Sequence, residues 1–464
     1  MPAIVSPIDG QIAFTYENLD LEAALQRLAR AEAAQEAWAR TTIAERAKVL
    51  LGMLDRYGAH LDAHAAKITR MMGKPIGQAR GEFSGGFTQR TRHLCEIAEG
   101  ALADLEVADA STGIRRFVRR APVGVVLTIA AWNYPLLVPI NSIAAALLAG
   151  NSVLLKHAPQ TALVADHLEL AFREAGAPAG LVTALHVDHA TAAALIHTRR
   201  LGQVSFTGSV RGGHEVYRAV AERNFIGVGL ELGGKDPAIV LGDAPVEKAA
   251  AHLVDGAFYN AGQSCCAVER VYVHRSIYDR FVEAFVAEVH KYVVGDPLDP
   301  ATTLGPVVNA AAAERIRDQA DQAQAMGARR LTDDSRFHLP ERSPCYLAPQ
   351  VFDRVDHSMD LMREESFGPI LGIMPFSSDD EAVALANDSA YGLTASVWTE
   401  DPARALAIAE RLDAGTVFQN RCDYLDPALA WTGVKDSGHG AALGALGIQG
   451  MTRPKSFHLR GHAP

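Results

Sequence analysis

The sequence predicts an α/β fold built on a parallel sheet with helices on both faces, and three observations predict it. From Val123 onward, short apolar runs of strand type alternate with amphipathic stretches, as expected of strands buried on both faces. The 464 residues suffice for two or three compact domains. Hydrophobic residues make up 48% and charged ones 21%, an ordinary globular balance that leaves no need for a fibrous or disordered reading.

The elements follow in order. Residues 20–40 and 43–72 are rich in Ala, Leu, Glu and Arg at helical spacing and predict two or more helices, with a further helical stretch over 82–103. Residues 114–119 alternate weakly between Thr112-Gly113 and Pro122, which predicts a strand in a hairpin or arm. Then come a strand over 123–130, a helix over 136–149, a strand over 152–156 and a helix over 162–175. Val204-Ser205-Phe206 reads as another strand, leading through a glycine turn into a helix over 213–223. Glycine density rises over 229–237 and the pattern restarts with a strand over 238–241, so a domain boundary is expected there. A second α/β segment runs to about residue 420, followed by a tail with glycine-rich turns and no internal repeat.

Charge and cysteine usage remove several function classes. A formal net charge of -10 offers no electrostatic footprint for nucleic acid. The longest apolar runs, 123–132 and 143–149, are too short to span a bilayer, and residues 1–10 lack the basic and apolar pattern of a secretory leader. Cys95, Cys265, Cys266, Cys345 and Cys422 are odd in number and scattered, with no disulfide framework and no zinc-like spacing. A cytoplasmic protein without a metal site is expected.

Four segments carry chemistry. Gly262-Gln263-Ser264-Cys265-Cys266-Ala267 sets a thiol, the strongest soft nucleophile among side chains, in a loop that can face a cavity; adjacent cysteines also serve as small buried hydrophobes. Leu230-Glu231-Leu232-Gly233-Gly234 holds a carboxylate between apolar neighbours, where its pKa rises and it suits general-base work. Ala131-Trp132-Asn133-Tyr134-Pro135 follows an apolar strand, and an amide at a strand's carboxyl end can donate to a developing oxyanion. Phe206-Thr207-Gly208-Ser209 hands a strand over to a helix whose amides can receive a phosphate, though without the full Gly-x-Gly-x-x-Gly spacing.

With these four, in order, stand Leu154-Leu155-Lys156, Glu364-Glu365-Ser366-Phe367-Gly368-Pro369, Asn387 with Tyr391-Gly392-Leu393, and Gly433-Val434-Lys435-Asp436-Ser437-Gly438. Together they resemble the aldehyde dehydrogenase superfamily from about Ala23 to the end of the chain. The resemblance implies a Rossmann-like cofactor domain over 1–103 and 122–233, a catalytic domain with a parallel sheet over 234–433, and a small β oligomerisation arm over 104–121 and 434–464. It implies NAD or NADP as cofactor, a small-molecule aldehyde as substrate, and a homodimer or homotetramer. Cys265 matches the nucleophile, Asn133 the oxyanion donor and Glu231 the base that activates water to hydrolyse a thioester. A glutamate at 231 favours hydrolysis over acyl transfer to coenzyme A. Retention of all three residues opposes a non-catalytic binding relative. Lys156 matches the residue at the adenosine ribose, Gly208, Ser209 and Gly213 the phosphate turn and helix, and Glu365 the nicotinamide ribose ligand, with Phe367 and Trp132 along the same channel.

The chain also departs from the family pattern. Pro159 stands where NAD-preferring relatives often carry glutamate, so NADP is not repelled there. Leu185-His186-Val187-Asp188 replaces a glycine-rich turn, and Ala441 replaces a common arginine. Ser142 and Ala442 stand where relatives often carry a Lys and a Glu, which leaves Glu231 as sole base. The tunnel implied by the resemblance is lined by Tyr134, Val138, Asn141, Tyr259, Asp423, Leu425 and Trp431. Positions 141 and 259 lack the arginines of succinic semialdehyde-specific members, so a neutral or cationic aldehyde is expected; Arg421, Asp423 and Asp426 alternatively pair with one another.

Overall fold

Two parallel sheets meet across the segment 231–236, and the helices pack on their faces. The computed structural model describes residues 1–107 and 114–460. The first sheet runs, in spatial order, Gly438–His439, Gly227–Glu231, Gln203–Thr207, Val125–Ala130, Ser152–His157 and Val182–Ala184; all neighbours are parallel except the short first strand. Its chain order reverses between Val125–Ala130 and Gln203–Thr207, and at such a switch point the loops beyond the strand ends diverge and open a crevice. The second sheet has seven strands, with Asp236–Val240 between Val268–His274 and Thr394–Trp398. Only Arg329–Arg330 at its edge is antiparallel.

The predicted helices form with small shifts at their ends. Residues 20–40 and 43–72 give Leu21–Trp38, Ile43–Gly58 and Leu61–Met72, the first two started by Asp20 and by a Thr42–Glu45 capping box. The helix Leu137–Leu148 is apolar nearly all round because Pro139 to Leu148 are all buried. The stretch expected as one helix over 82–103 divides into Ile76–Glu82, a π turn Phe83–Phe87, and Thr88–Ala101.

Four strands had no clear signal in the sequence. Ala3–Val5 pairs with Ile12–Thr15, Val182–Ala184 is only three residues long, and Gly227–Glu231 falls where glycine density suggested a boundary. The arm is antiparallel: Ile114–Pro122 pairs with Thr452–Arg460 over nine residue pairs and with Leu105–Glu106 on its other side. The expected turn at Thr112-Gly113 and the last residues of the arm lie outside the described residues. The tail 434–464 does not belong wholly to the arm. Val434–Lys435 pairs with Tyr391–Gly392, Gly438–His439 pairs with Leu230 and Glu231, and the arm strand begins only at Thr452.

Candidate active site

The loop that carries Cys265 is held in an unusual backbone shape. Asn260, Ala261 and Gly262 have φ of 53°, 56° and 69°, a left-handed run that costs an alanine about 1 kcal/mol. Surrounding contacts fix it. Asn260 Nδ2 donates to the carbonyls of Asn133 (3.0 Å) and Gln263 (3.2 Å), and the Gln263 side chain donates to the Asn260 carbonyl (3.0 Å) and accepts from the Val308 amide (2.8 Å). Gly262 admits no side chain, since a Cβ there would lie 2.3 Å from the Gly368 carbonyl.

Cys265 emerges from this loop where two cavities meet. A cavity of about 380 Å³ and a cleft of about 350 Å³ share Asn133, Thr207 and Cys265 in their walls. Asn133 lies just beyond the strand Val125–Ala130, and Thr207 ends the strand beside it, so the switch point of the sheet brings both to the thiol. Asn133 is buried, and its Nδ2 donates to the Gln263 carbonyl at 3.2 Å. Cys266 differs from its neighbour. It is buried, its thiol donates to Asp423 Oδ1 at 3.0 Å, and hydrogen bonding with Cys265 together with burial pushes its pKa well up.

Glu231 is the last residue of its strand, opposite Thr207, and lines the 380 Å³ cavity. Burial pushes its carboxyl up to about 7, against the pull of Arg90 and of the Thr207 hydroxyl, which donates to it at 3.4 Å. The tail clamps this segment: Ser437 Oγ donates to the Gly233 carbonyl at 2.7 Å, and the Leu232 amide donates to the Ser437 carbonyl at 3.1 Å. Ser142 and Ala442 line one small cavity of about 160 Å³ on another side of Glu231, so the two positions share a space.

The 350 Å³ cleft is lined by Trp132, Gly208, Ser209, Glu365 and Phe367. Trp132 and Phe367 meet edge to face at 5.5 Å. Glu365 accepts from the Gly234 amide at 3.1 Å, and a side chain at Gly233 would collide with both its carboxylate oxygens. Burial, with Glu269 near, pushes the Glu365 carboxyl up to about 7. Its segment is positioned by a pair that sequence reasoning missed. Glu269 accepts from the Ser366 and Phe367 amides, each at 2.8 Å, and from Lys235 Nζ at 2.5 Å. Lys156 and Gly213 do not line this cleft. Lys156 is buried near the end of its strand, which lowers its pKa against the more distant pull of Asp188, and Gly213 lies inside the helix Val210–Arg223, where a Cβ would strike Leu232. Asp188 caps the next helix, which accounts for the altered turn.

All seven expected tunnel residues, Tyr134, Val138, Asn141, Tyr259, Asp423, Leu425 and Trp431, line the 380 Å³ cavity. Asp423 does not pair with Arg421, whose guanidinium stacks on Tyr424. It accepts from Ser264 Oγ at 2.7 Å and from Cys266, and burial pushes it up to about 6. Glu82, Arg90 and Asp255 line the cavity as well, and none was legible in the sequence, because charged residues at helical spacing read as solvent-facing. Glu82 accepts from buried Lys74 at 2.6 Å and from the Leu136 and Leu137 amides, so it caps the helix Leu137–Leu148; Lys74 also sits 4.0 Å over the Tyr134 ring.

A family model described as the aldehyde dehydrogenase family matches residues 2–457. A 3,6-anhydro-alpha-L-galactose dehydrogenase of Streptomyces coelicolor is 35% identical over 464 residues, covering 98% of this chain and 92% of the relative. Among solved structures, succinic semialdehyde dehydrogenase from Streptococcus pyogenes in complex with NADP+ superposes with a TM-score of 0.93 at 28% identity, covering 98% of this chain and 99% of that one. Betaine aldehyde dehydrogenase from Staphylococcus aureus in complex with NAD+ gives 0.92 at 29% identity, covering 100% and 92%.

Proposed function

The chain belongs to the aldehyde dehydrogenase family, and from that premise we propose that it oxidises an aldehyde to a carboxylic acid by nucleophilic catalysis at Cys265. The observation that carries the proposal is the position of the thiol where two cavities join, with Asn133 and Thr207 shared between them. The larger cavity takes the aldehyde. The smaller cleft suits a nicotinamide dinucleotide: it has aromatic walls at Trp132 and Phe367, the start of the helix Val210–Arg223 at Gly208 and Ser209, and an acid, Glu365, to meet ribose hydroxyls. NAD or NADP bound there supplies the hydride acceptor.

The Cys265 thiolate attacks the carbonyl carbon, and the aldehyde oxygen becomes an alkoxide. The Asn133 side-chain amide and the Cys265 backbone N–H stabilise that charge. Loss of hydride from the tetrahedral carbon leaves a thioester on Cys265. Glu231 then takes a proton from water, and hydroxide attack releases the acid and restores the thiolate. A carboxyl held near 7 is matched to this task at neutral pH.

The substrate is a neutral or cationic aldehyde rather than a carboxylated one. Asn141 and Tyr259 replace the expected arginines, and Asp423, Asp255 and Glu231 would face an anionic group. The named relatives act on sugar-derived, semialdehyde and betaine aldehyde substrates, so family likeness does not choose among them. Association as a homodimer or homotetramer through the arm, and a cytoplasmic setting consistent with five unpaired cysteines, complete the proposal. The test is cofactor reduction by a panel of aliphatic, amino-, hydroxy- and carboxy-aldehydes with NAD or NADP and no coenzyme A. Turnover without coenzyme A supports the hydrolytic enzyme; turnover only with it reassigns the chain to acyl transfer.

A further inference from the structure

Arg90 is a cation brought to the wall of the aldehyde cavity with its hydrogen bonding incomplete. It is 5% exposed. Its Nη1 donates to Asn141 Oδ1 at 3.0 Å and to the Leu137 carbonyl at 3.4 Å; neither Nε, which is shut off from the cavity, nor Nη2 has a hydrogen-bond partner among the described residues, so Nη2 is the donor left for a ligand. The acid on the same helical segment, Glu82, is already engaged by Lys74 and two backbone amides. A buried guanidinium left with unmet donors is costly unless an acceptor arrives to complete it.

The backbone is shaped to put it there. In an unbroken α-helix, residues eight apart differ by about 80° around the axis. The π turn Phe83–Phe87 absorbs one extra residue, so Glu82 and Arg90 come within about 20° of each other and face the same cavity. Gly85 and Gly86 of that turn line the cavity too, and a side chain at Gly86 would strike Leu137.

We infer that Arg90 is a specificity residue that donates to a hydroxyl or ether oxygen of the substrate, so that the preferred class is an uncharged, hydroxylated aldehyde. The inference rests on the cavity being the aldehyde site. A cationic substrate would meet Arg90, and an anionic one would meet Asp255, Asp423 and Glu231. A hydroxyl both donates and accepts, so it satisfies the guanidinium and the carboxylates at once.

The experiment compares glyceraldehyde with propanal, and includes succinic semialdehyde as the anionic arm, in the wild type, Arg90→Met and Arg90→Lys. The wild type is expected to favour glyceraldehyde. Arg90→Met should raise KM for glyceraldehyde by about tenfold or more while KM for propanal moves less than about twofold, and any change in kcat, which follows from losing the Arg90 charge beside Glu231, should be shared by the two aldehydes. Arg90→Lys should fall between. An equal rise in KM for both aldehydes in either variant would reduce Arg90 to a packing role, and a wild-type preference for succinic semialdehyde that Arg90→Met or Arg90→Lys erases would make it an anion site; each overturns the inference. Titration of glyceraldehyde and propanal into Cys265→Ser protein, with and without Arg90→Lys, reads the same contact without turnover. Selective binding of glyceraldehyde that falls on substitution upholds Arg90 even if the wild type reduces no cofactor, an outcome that would overturn the reading of the reaction instead.

Discussion

The side-chain amide of Asn260 donates to the backbone carbonyl of Asn133 at 3.0 Å, tying the left-handed turn before Cys265 to the loop that carries the proposed oxyanion donor. The two segments lie more than a hundred residues apart in the chain, and this contact sets the spacing between thiol and amide. Asn260→Ala removes it and places alanine at a positive φ. The expected result is a kcat loss of about ten- to a hundredfold with destabilisation of roughly 2 kcal/mol, read by steady-state kinetics and thermal melting. Unchanged kcat in a destabilised protein would confine Asn260 to folding.

Cys265 and Cys266 should separate cleanly. Cys265→Ser is expected to abolish aldehyde oxidation, whereas Cys266→Ser should retain most of it, because the Cys266 thiol is buried and held neutral against Asp423. Thiol alkylation followed by peptide mapping should mark Cys265 first. Equal loss in the two variants would sink the assignment of the nucleophile.

Glu231 makes activity and stability respond to pH in opposite directions. As the base it must be ionised, so thioester hydrolysis is expected to rise through about pH 7. Its folded pKa lies above the ordinary 4.5, so its contribution to stability is complete below 4.5 and is lost as pH rises through about 7. Glu231→Gln should give a burst of reduced cofactor, slow turnover and no limb near 7. Thr207→Val, which removes a hydrogen bond that lowers this pKa, should move the limb upward. A pH profile flat from 6 to 8 in the wild type (about one unit either side of the limb) would remove Glu231 from the rate-limiting step.

The Lys235–Glu269 pair should matter for cofactor affinity more than for aldehyde affinity. Both side chains are buried, and Glu269 holds the Ser366 and Phe367 amides that shape one wall of the cleft. Glu269→Gln is expected to cost about 3–5 kcal/mol of stability and to raise the dissociation constant for the dinucleotide, measured by fluorescence titration. An unaltered dissociation constant would leave the pair a purely structural element.

Removal of residues 452–464 takes away the strand Thr452–Arg460 and the Phe457 ring that stacks on Phe117 at 4.5 Å. Light scattering should then report monomers for the truncated protein and the proposed dimers or tetramers for the full chain. A truncated protein of unchanged mass would place the interface elsewhere.

Some of this was readable along the chain because the information is local. The buried strand Val125–Ala130 and the helix Leu137–Leu148 are continuous apolar runs, and Asn133, Glu231 and Cys265 stand in short motifs at strand ends and in a loop. Gly227–Glu231 was less readable, since its glycines mimic a linker and its pairing with Gln203–Thr207 is a long-range event. Gly213 was matched to the phosphate turn and helix; it lies inside the helix Val210–Arg223, and only the fold shows that its missing side chain also leaves room for Leu232.

Residue types and their order were therefore enough for the α/β architecture, the family resemblance and the choice of Cys265, Asn133 and Glu231 as a candidate trio, because each depends on periodicity or on a contiguous motif. Lys74, Glu82, Arg90, Lys235 and Glu269 belong to the other category. In a linear reading they are charges on polar helices or near strand ends, and only folding puts them in the interior. There the loss of water makes each demand a partner, so packing between distant segments sets which charge meets which, and which donor is left for a substrate.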